Sequence, residues 1–315
     1  MIALVLAMSL LAADAAAPAS DDATLGFAHS LYSEGDFYRS ITEAKRFLYE
    51  HPKEPRAAEA KLLIGECYLA GSQWTAAAAA LEPLVAGGVS GTVGADAAFS
   101  LADARMGGGD YDLAALEYHR FGEDYPEDPR AALSLLRTGW ARMFAADVLA
   151  TLDPKKGRVA FKAAARELDA VPASSPEKLR ATKLAGGAHR LAVMPARSPA
   201  LAGAFSAILP GAGQLYAGRW KDGLIAFLVN GLFIGGATES FLKGNDTAGA
   251  ILVLFEMGWY SGNIYSAINS AHRCNDDRRA NLLKDLKRDL YFQAAPLTSS
   301  TGAPRGATAL LGGRF

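Results

Sequence analysis

Cysteine is nearly absent from this chain: Cys67 and Cys274 are the only two in 315 residues. Two thiols so far apart specify no disulfide framework and lack metal-ligand spacing, so no metal site is expected. Cys67 sits in an apolar helical pattern and is expected in a core. Histidine is scarce as well, and the five present (His29, His51, His119, His189 and His272) form neither HExxH nor a close pair. GxSxG is missing, and so is a Gly-rich loop closing on Gly-Lys-Ser/Thr. These gaps remove the common hydrolase, metalloenzyme and nucleotide-binding signatures, so neither a catalytic set nor a cofactor is expected. An excess of one charge is also lacking. Lys and Arg number 32 against 33 Asp and Glu, a formal net charge of -1. A nucleic-acid partner would call for a basic face and is not expected.

What is present is unevenly spread. Charged residues are frequent up to about Arg197, sparse to Ala271, and frequent again beyond it. The opening MIALVLAMSLLAADAAAPA is apolar, then rich in small residues, although no Lys or Arg precedes the apolar run. Residues 1–19 therefore predict a cleaved signal peptide. No Cys follows it, so no lipoprotein anchor is expected.

The first half repeats itself. RFLYEHPKEPRAA at 46–58 returns as RFGEDYPEDPRAA at 120–132, an offset of 74 residues. Phe37, Trp74 and Tyr111 fall at half that interval, each after a Gly-containing turn and each opening a helical pattern. A period of about 37 residues with two helices in each unit predicts an all-α fold: an α-solenoid over 22–172. Each helix pair leaves an apolar face that only the next pair can bury. Gly breaks the first helix, and the aromatic is expected to wedge against that helix's small residues. Residues 173–197, opened by Ser175, Pro176 and Glu177, predict a capping or connecting helix. The pattern resembles tetratricopeptide repeats. Over 23–169 it resembles more particularly the repeats of outer-membrane assembly lipoproteins. That resemblance implies protein partners held on a concave face, lined mainly by the first helix of each pair.

The second half is suited to lipid. Gly223 to Thr238 carries no charge in 16 residues, and 220–242 is long enough to cross roughly 30 Å of hydrocarbon. Thr247 to Ala271 is 25 residues with a single charge, Glu256. Together they predict a helical transmembrane hairpin within a membrane domain over 198–271. Gly258, Gly262, Ser266 and Ser270 recur every four residues, a small-residue stripe that lets another helix approach. Its expected partner is Gly231 and Gly235 of the first span, or the same stripe on a second copy. Asn230, Glu256 and Asn263 are the intramembrane polar residues. A carboxyl at that depth needs company. Hydrogen bonding within the hairpin is the first expectation for Glu256; proton or ion coupling, or a lock between subunits, is the alternative.

Before the first span stands LPGAGQLYAGRWKDG, 209–223. Its Lys is misplaced for a phosphate loop, and the preceding AGAFSAIL reads as helix. An interfacial or re-entrant segment over 198–218 is expected instead. Residues 201–209 would enter or lie on the bilayer, Pro210 and Gly211 would break the helix, and Tyr216, Arg219, Trp220 and Lys221 would anchor among headgroups. Pro210, Gly211, Gly213, Gln214, Tyr216, Gly218 and Arg219 resemble the motif that precedes the first span in the two-transmembrane domain family. The resemblance covers about 200–271 and implies a membrane domain. The Asp-Arg-Phe-like signal often found between that family's spans is replaced here by GNDTAG, 244–249.

Leu282, Leu283, Leu286 and Leu290 lie at helical spacing and predict an amphipathic helix over 272–293, on the membrane face or against the repeats. Residues 294–315 predict a disordered tail. The expected whole is a membrane-anchored protein–protein interaction scaffold of the bacterial envelope. It would sit in the inner membrane of a Gram-negative-type bacterium with its repeats in the periplasm. Its expected partners are other proteins and the lipid bilayer, with a homo-oligomer or a membrane complex as further forms. Basic residues at both outer ends of the hairpin (Arg190, Arg197, Arg219 and Lys221, then Arg273, Arg278 and Arg279) favour the cytoplasmic side instead. The alternatives are a non-catalytic subunit of a transport, secretion or envelope-assembly complex, and a membrane enzyme using Glu256.

Overall fold

The computed structural model describes residues 21–291; the expected signal peptide and tail lie outside the described residues. Among the described residues every regular element is a helix. They form two compact units, one up to Ala141 and one from Arg142 onward.

In the first unit, α1 (Asp21–Ser33) pairs with α2 (Phe37–Glu50), α3 (Ala57–Ala70) with α4 (Trp74–Ala86), and α5 (Gly91–Gly107) with α6 (Tyr111–Asp124). Phe37, Trp74 and Tyr111 are the first residues of the second helices. The period is written into the backbone as well. The turn before each second helix holds one left-handed residue: Gly35 at φ +83°, Ser72 at φ +57° and Gly109 at φ +84°. Glycine suits that conformation because it has no Cβ to collide with the backbone. Asp36 then caps α2, its carboxylate accepting from the Arg39 N–H at 3.1 Å.

The 74-residue sequence repeat returns as one hydrogen-bond pattern. His51 N–H donates to Phe47 O and Tyr125 N–H to Phe121 O; Glu54 donates to His51 O and Asp128 to Tyr125 O.

Successive pairs bury each other as a solenoid requires. Leu25, Phe47, Leu63 and Cys67 form one core cluster, Leu62, Leu81, Leu84 and Leu101 the next, and Phe99, Tyr118 and Phe121 a third. Trp74 reaches beyond its own pair: a Cβ at Gly107 would meet its ring at 2.5 Å, so the indole lies against α5, the first helix of the following pair. The small residue that receives it stands one repeat later. Phe37 does face its own first helix, with its ring 5.7 Å from that of Tyr32.

Helix α7 (Ala131–Leu152) carries the chain into the second unit. There α8 (Pro154–Asp169) starts on Asp153, whose carboxylate accepts from the Lys155 and Lys156 N–H groups at 2.9 and 3.1 Å. Gly157 lets α8 close directly on Ala150 of α7. The expected connecting helix is α9 (Lys178–Val193), followed by α10 (Pro199–Ile208), α11 (Ala212–Tyr216), α12 (Trp220–Leu242) and α13 (Asp246–Tyr291).

α12 has 23 residues and is about 34 Å long. Leu224, Ile225, Leu228, Leu232 and Ile234 along it are exposed. Among the described residues it is the one helix long and apolar enough to cross a membrane, judged by length and composition. Glu256, Asn263 and the interspersed Ser and Tyr make 247–271 less apolar. The boundary expected at 271/272 is no helix end: α13 continues unbroken for 46 residues. Charge returns at His272, but no Pro or Gly follows to stop the helix. Leu283 and Leu286 are buried, and Leu286 seats over Gly187 of α9.

Candidate functional site

The segment 209–223 acts as a clasp. Pro210 ends α10, and Gly211 takes φ +87°, a left-handed value that glycine tolerates. Gly211 and Gly223 are in backbone contact: a Cβ at Gly223 would lie 2.8 Å from Gly211 O. The Gly213 N–H donates to Ser206 Oγ at 3.0 Å, and Ser206 Oγ–H donates to Gln214 Oε1 at 2.9 Å. Gln214 Nε2 donates in turn to Asn263 Oδ1 at 2.8 Å and to the Asn263 carbonyl at 3.1 Å. All of these groups are buried. Gly218, at φ +83°, lets the Arg219 N–H return to Gln214 O at 2.8 Å.

Of the expected headgroup anchors Tyr216 is engaged with the protein, whereas Arg219, Trp220 and Lys221 are exposed. Tyr216 OH accepts from the Ser198 N–H at 3.0 Å, Phe205 meets its ring edge-on at 5.3 Å, and the Arg197 guanidinium lies over it at 5.1 Å. Arg219 pairs with Asp222 at 2.5 Å, and Lys221 Nζ lies 5.8 Å from the Trp220 ring. Asn275 bridges the main chain of Arg197 from α13, and Tyr260 OH donates to Ala207 O. The motif residues thus lock α10 and α11 onto α13.

The polar residues expected within the membrane divide. Asn263 joins the clasp through its oxygen, and its Nδ2 meets no acceptor. Asn230 Nδ2 donates to Ala226 O of its own helix at 2.6 Å, leaving its Oδ1 without a donor. Glu256 is only 9% exposed, and among the described residues neither carboxyl oxygen has a hydrogen-bond partner. The expectation that Glu256 bonds within the hairpin is therefore corrected. Asn230 spends its donor on its own turn, and Asn263 stands two helical turns away on the same helix.

The small-residue stripe does not join the two helices of the hairpin, which corrects the first of its two expected partners. Gly231, Gly235, Gly258 and Gly262 have nothing within 4 Å of where a Cβ would lie, and Ser266 is exposed. Ser270 bonds only its own helix, donating to Ser266 O. The hairpin packs through another face, on which Phe241 covers Gly249.

In the repeat unit, two of the seams between consecutive first helices, α1/α3 and α5/α7, are ionic. Arg56 binds Glu59 at 2.8 Å, and Glu59 also meets His29 of α1 at 3.0 Å. The Arg56 hydrogen bond holds the Glu59 carboxyl below its usual range. Arg130, at the same place in the 74-residue repeat, binds Asp96 at 2.8 Å and Asp128 at 2.7 Å. Two helical turns further on, Arg137 and the Tyr118 hydroxyl both donate to Asp103. Phe99 lies between, with Arg130 and Arg137 at 5.0 and 4.8 Å from its ring. Burial, then the Asp103 charge, pushes the Tyr118 phenol well above its ordinary value. Sequence reading did not single out these arginines. The signal available was the identity of Arg56 and Arg130 within the two copies of Pro-Arg-Ala-Ala.

Residues 96–128, the region that carries this seam, match the tetratricopeptide repeat family. No curated protein and no solved structure is significantly similar to the chain. A helical repeat fold and a membrane-length apolar helix in one chain are consistent with a membrane-associated scaffolding role.

Proposed function

We propose that the chain is a membrane-anchored scaffold: α12 and the first part of α13 cross the bilayer as a hairpin, and the repeats recruit other proteins. The observation that carries this reading is the apolar surface of α12, which is left exposed in the same chain as a tetratricopeptide-like unit. An apolar surface of that extent is stable in lipid and costly in water. No catalytic role is assigned. The repeats are placed in the periplasm, bound through exposed positions on the first helices such as Lys61 of α3. This agrees with the outer-membrane assembly-type resemblance and with a cleaved signal.

The test is single-cysteine labelling in intact cells at Ser90 and Lys284, with both native cysteines replaced, alongside co-purification of partners. Both sites labelled by a maleimide confined to the periplasm, and partners lost on Lys61→Glu, are the expected results. Protection of both sites until lysis would put the repeats in the cytoplasm. A second reading, subunit of a larger membrane complex, is favoured by the unpartnered carboxyl of Glu256.

A further inference from the structure

Between α12 and α13 lies an open cavity of about 480 Å³, walled by Phe233, Ala237 and Phe241 on one helix and Val253, Met257 and Tyr260 on the other. Glu256 lines it. The other polar groups of the wall are already committed: Tyr260 OH to Ala207 O, and Thr238 Oγ to Ile234 O. The two Glu256 oxygens are not, although the residue is only 9% exposed.

Depth narrows the occupant. Glu256 follows the turn at Gly244 by twelve residues, and Leu232, midway along α12, precedes it by twelve. Twelve residues of helix rise about 18 Å, close to half of a hydrocarbon core of about 30 Å. A lipid's charged head stays at the surface and does not reach that level. A carboxyl at the bilayer centre is costly unless a donor or a positive charge meets it. This chain offers no positive charge there. Between Gly223 and Ala271 the only basic residue is Lys243, beside the turn, and it pairs with Glu239 at 2.6 Å. A second copy would bring another carboxyl to the same depth and no positive charge.

We infer that the α12–α13 groove seats a transmembrane helix of a different protein, one that places a Lys or Arg at mid-bilayer against Glu256. The apolar walls take the helix's aliphatic side chains, and the carboxyl selects for the cation. This rests on the reading of the chain as membrane-anchored.

The test is site-specific photo-crosslinking in the source cell's own membranes, using the full chain with a benzophenone amino acid at Met257. It is run with Glu256 and with the near-isosteric Glu256→Gln. The expected result is an adduct whose partner peptide, identified by mass spectrometry, is a membrane span carrying Lys or Arg. That adduct should fall at least about tenfold in Glu256→Gln, because removing one partner of a buried charge pair weakens binding by more than that. Adducts to lipid alone, to a second copy, to a span without a basic residue, or undiminished in Glu256→Gln would overturn the inference. Carbonate washing separates the two failures. A chain that washes off the membrane defeats the anchoring reading as well, whereas a chain that stays while the adduct fails defeats only the groove.

Discussion

Gln214 on α11 and Asn263 on α13 are 49 positions apart in the chain and share a buried 2.8 Å hydrogen bond. Gln214 Oε1 also takes the hydroxyl of Ser206, so one side chain holds three helices. Gln214→Leu strands Asn263 and Ser206 in the interior, where an unmet polar group costs about 1–3 kcal/mol. The unfolding midpoint of the detergent-solubilised chain, followed by circular dichroism, should fall accordingly. The double variant Gln214→Leu/Asn263→Leu should recover part of the loss.

Asp103 accepts from both Arg137 and Tyr118, with its side chain 8% exposed and that of Arg137 16%. Removing the acceptor alone leaves a buried guanidinium without its counter-charge. Asp103→Ala should therefore destabilise the chain by about 3–5 kcal/mol in urea titration. Replacing the pair together, Asp103→Leu with Arg137→Met, should restore most of it. A single-variant loss below about 1 kcal/mol would show that the pair is solvated and not part of the seam.

Ser72 is the one member of the 35/72/109 series that is not glycine, yet it holds φ +57°. A side chain in that conformation crowds its own backbone, at about 1–2 kcal/mol. Ser72→Gly removes the crowding and adds some freedom to the unfolded chain. The expected net is a gain of about 0.5–1 kcal/mol, read as a higher denaturation midpoint.

Cys67 is buried, its thiol donating to Ser40 Oγ at 3.3 Å, and burial pushes it up to about 11 from the usual 9.0. The folded state thus holds this proton more tightly than the unfolded state. Its contribution to stability is complete below pH 9 and is lost as pH rises from 9 to 11. The stability difference between the native chain and Cys67→Ala should shift against the native chain across that window, by about 2–3 kcal/mol at the limit. At pH 8, iodoacetamide should modify Cys274 in the folded chain and reach Cys67 only after denaturant is added.

The repeat was legible because its cause is local. Apolar positions recur every 37 residues, and the same turn chemistry precedes Phe37, Trp74 and Tyr111. The exposed apolar span α12 was legible for the same reason. What escaped depends on distance or on chain continuity. Trp74 packs one repeat ahead, which its own neighbourhood does not reveal. The change from apolar to charged at His272 looks like an element boundary, but helix propensity does not change there, so α13 runs on. Gln214 and Asn263 carry no mutual mark in the sequence, and the openness of Gly258 and Gly262 follows from which face of α13 the clasp occupies.

α13 is also a drive shaft. It contains no proline, and about 45 Å of uninterrupted helix joins Glu256 to Leu286. An uninterrupted helix of this kind couples a rotation at one end to the other. At its far end Leu286 sits in the notch left by Gly187, where no spare room absorbs a twist. On the proposed membrane-anchored reading, a turn of α13 at the α12–α13 groove reaches α9 as a change in how that notch is filled.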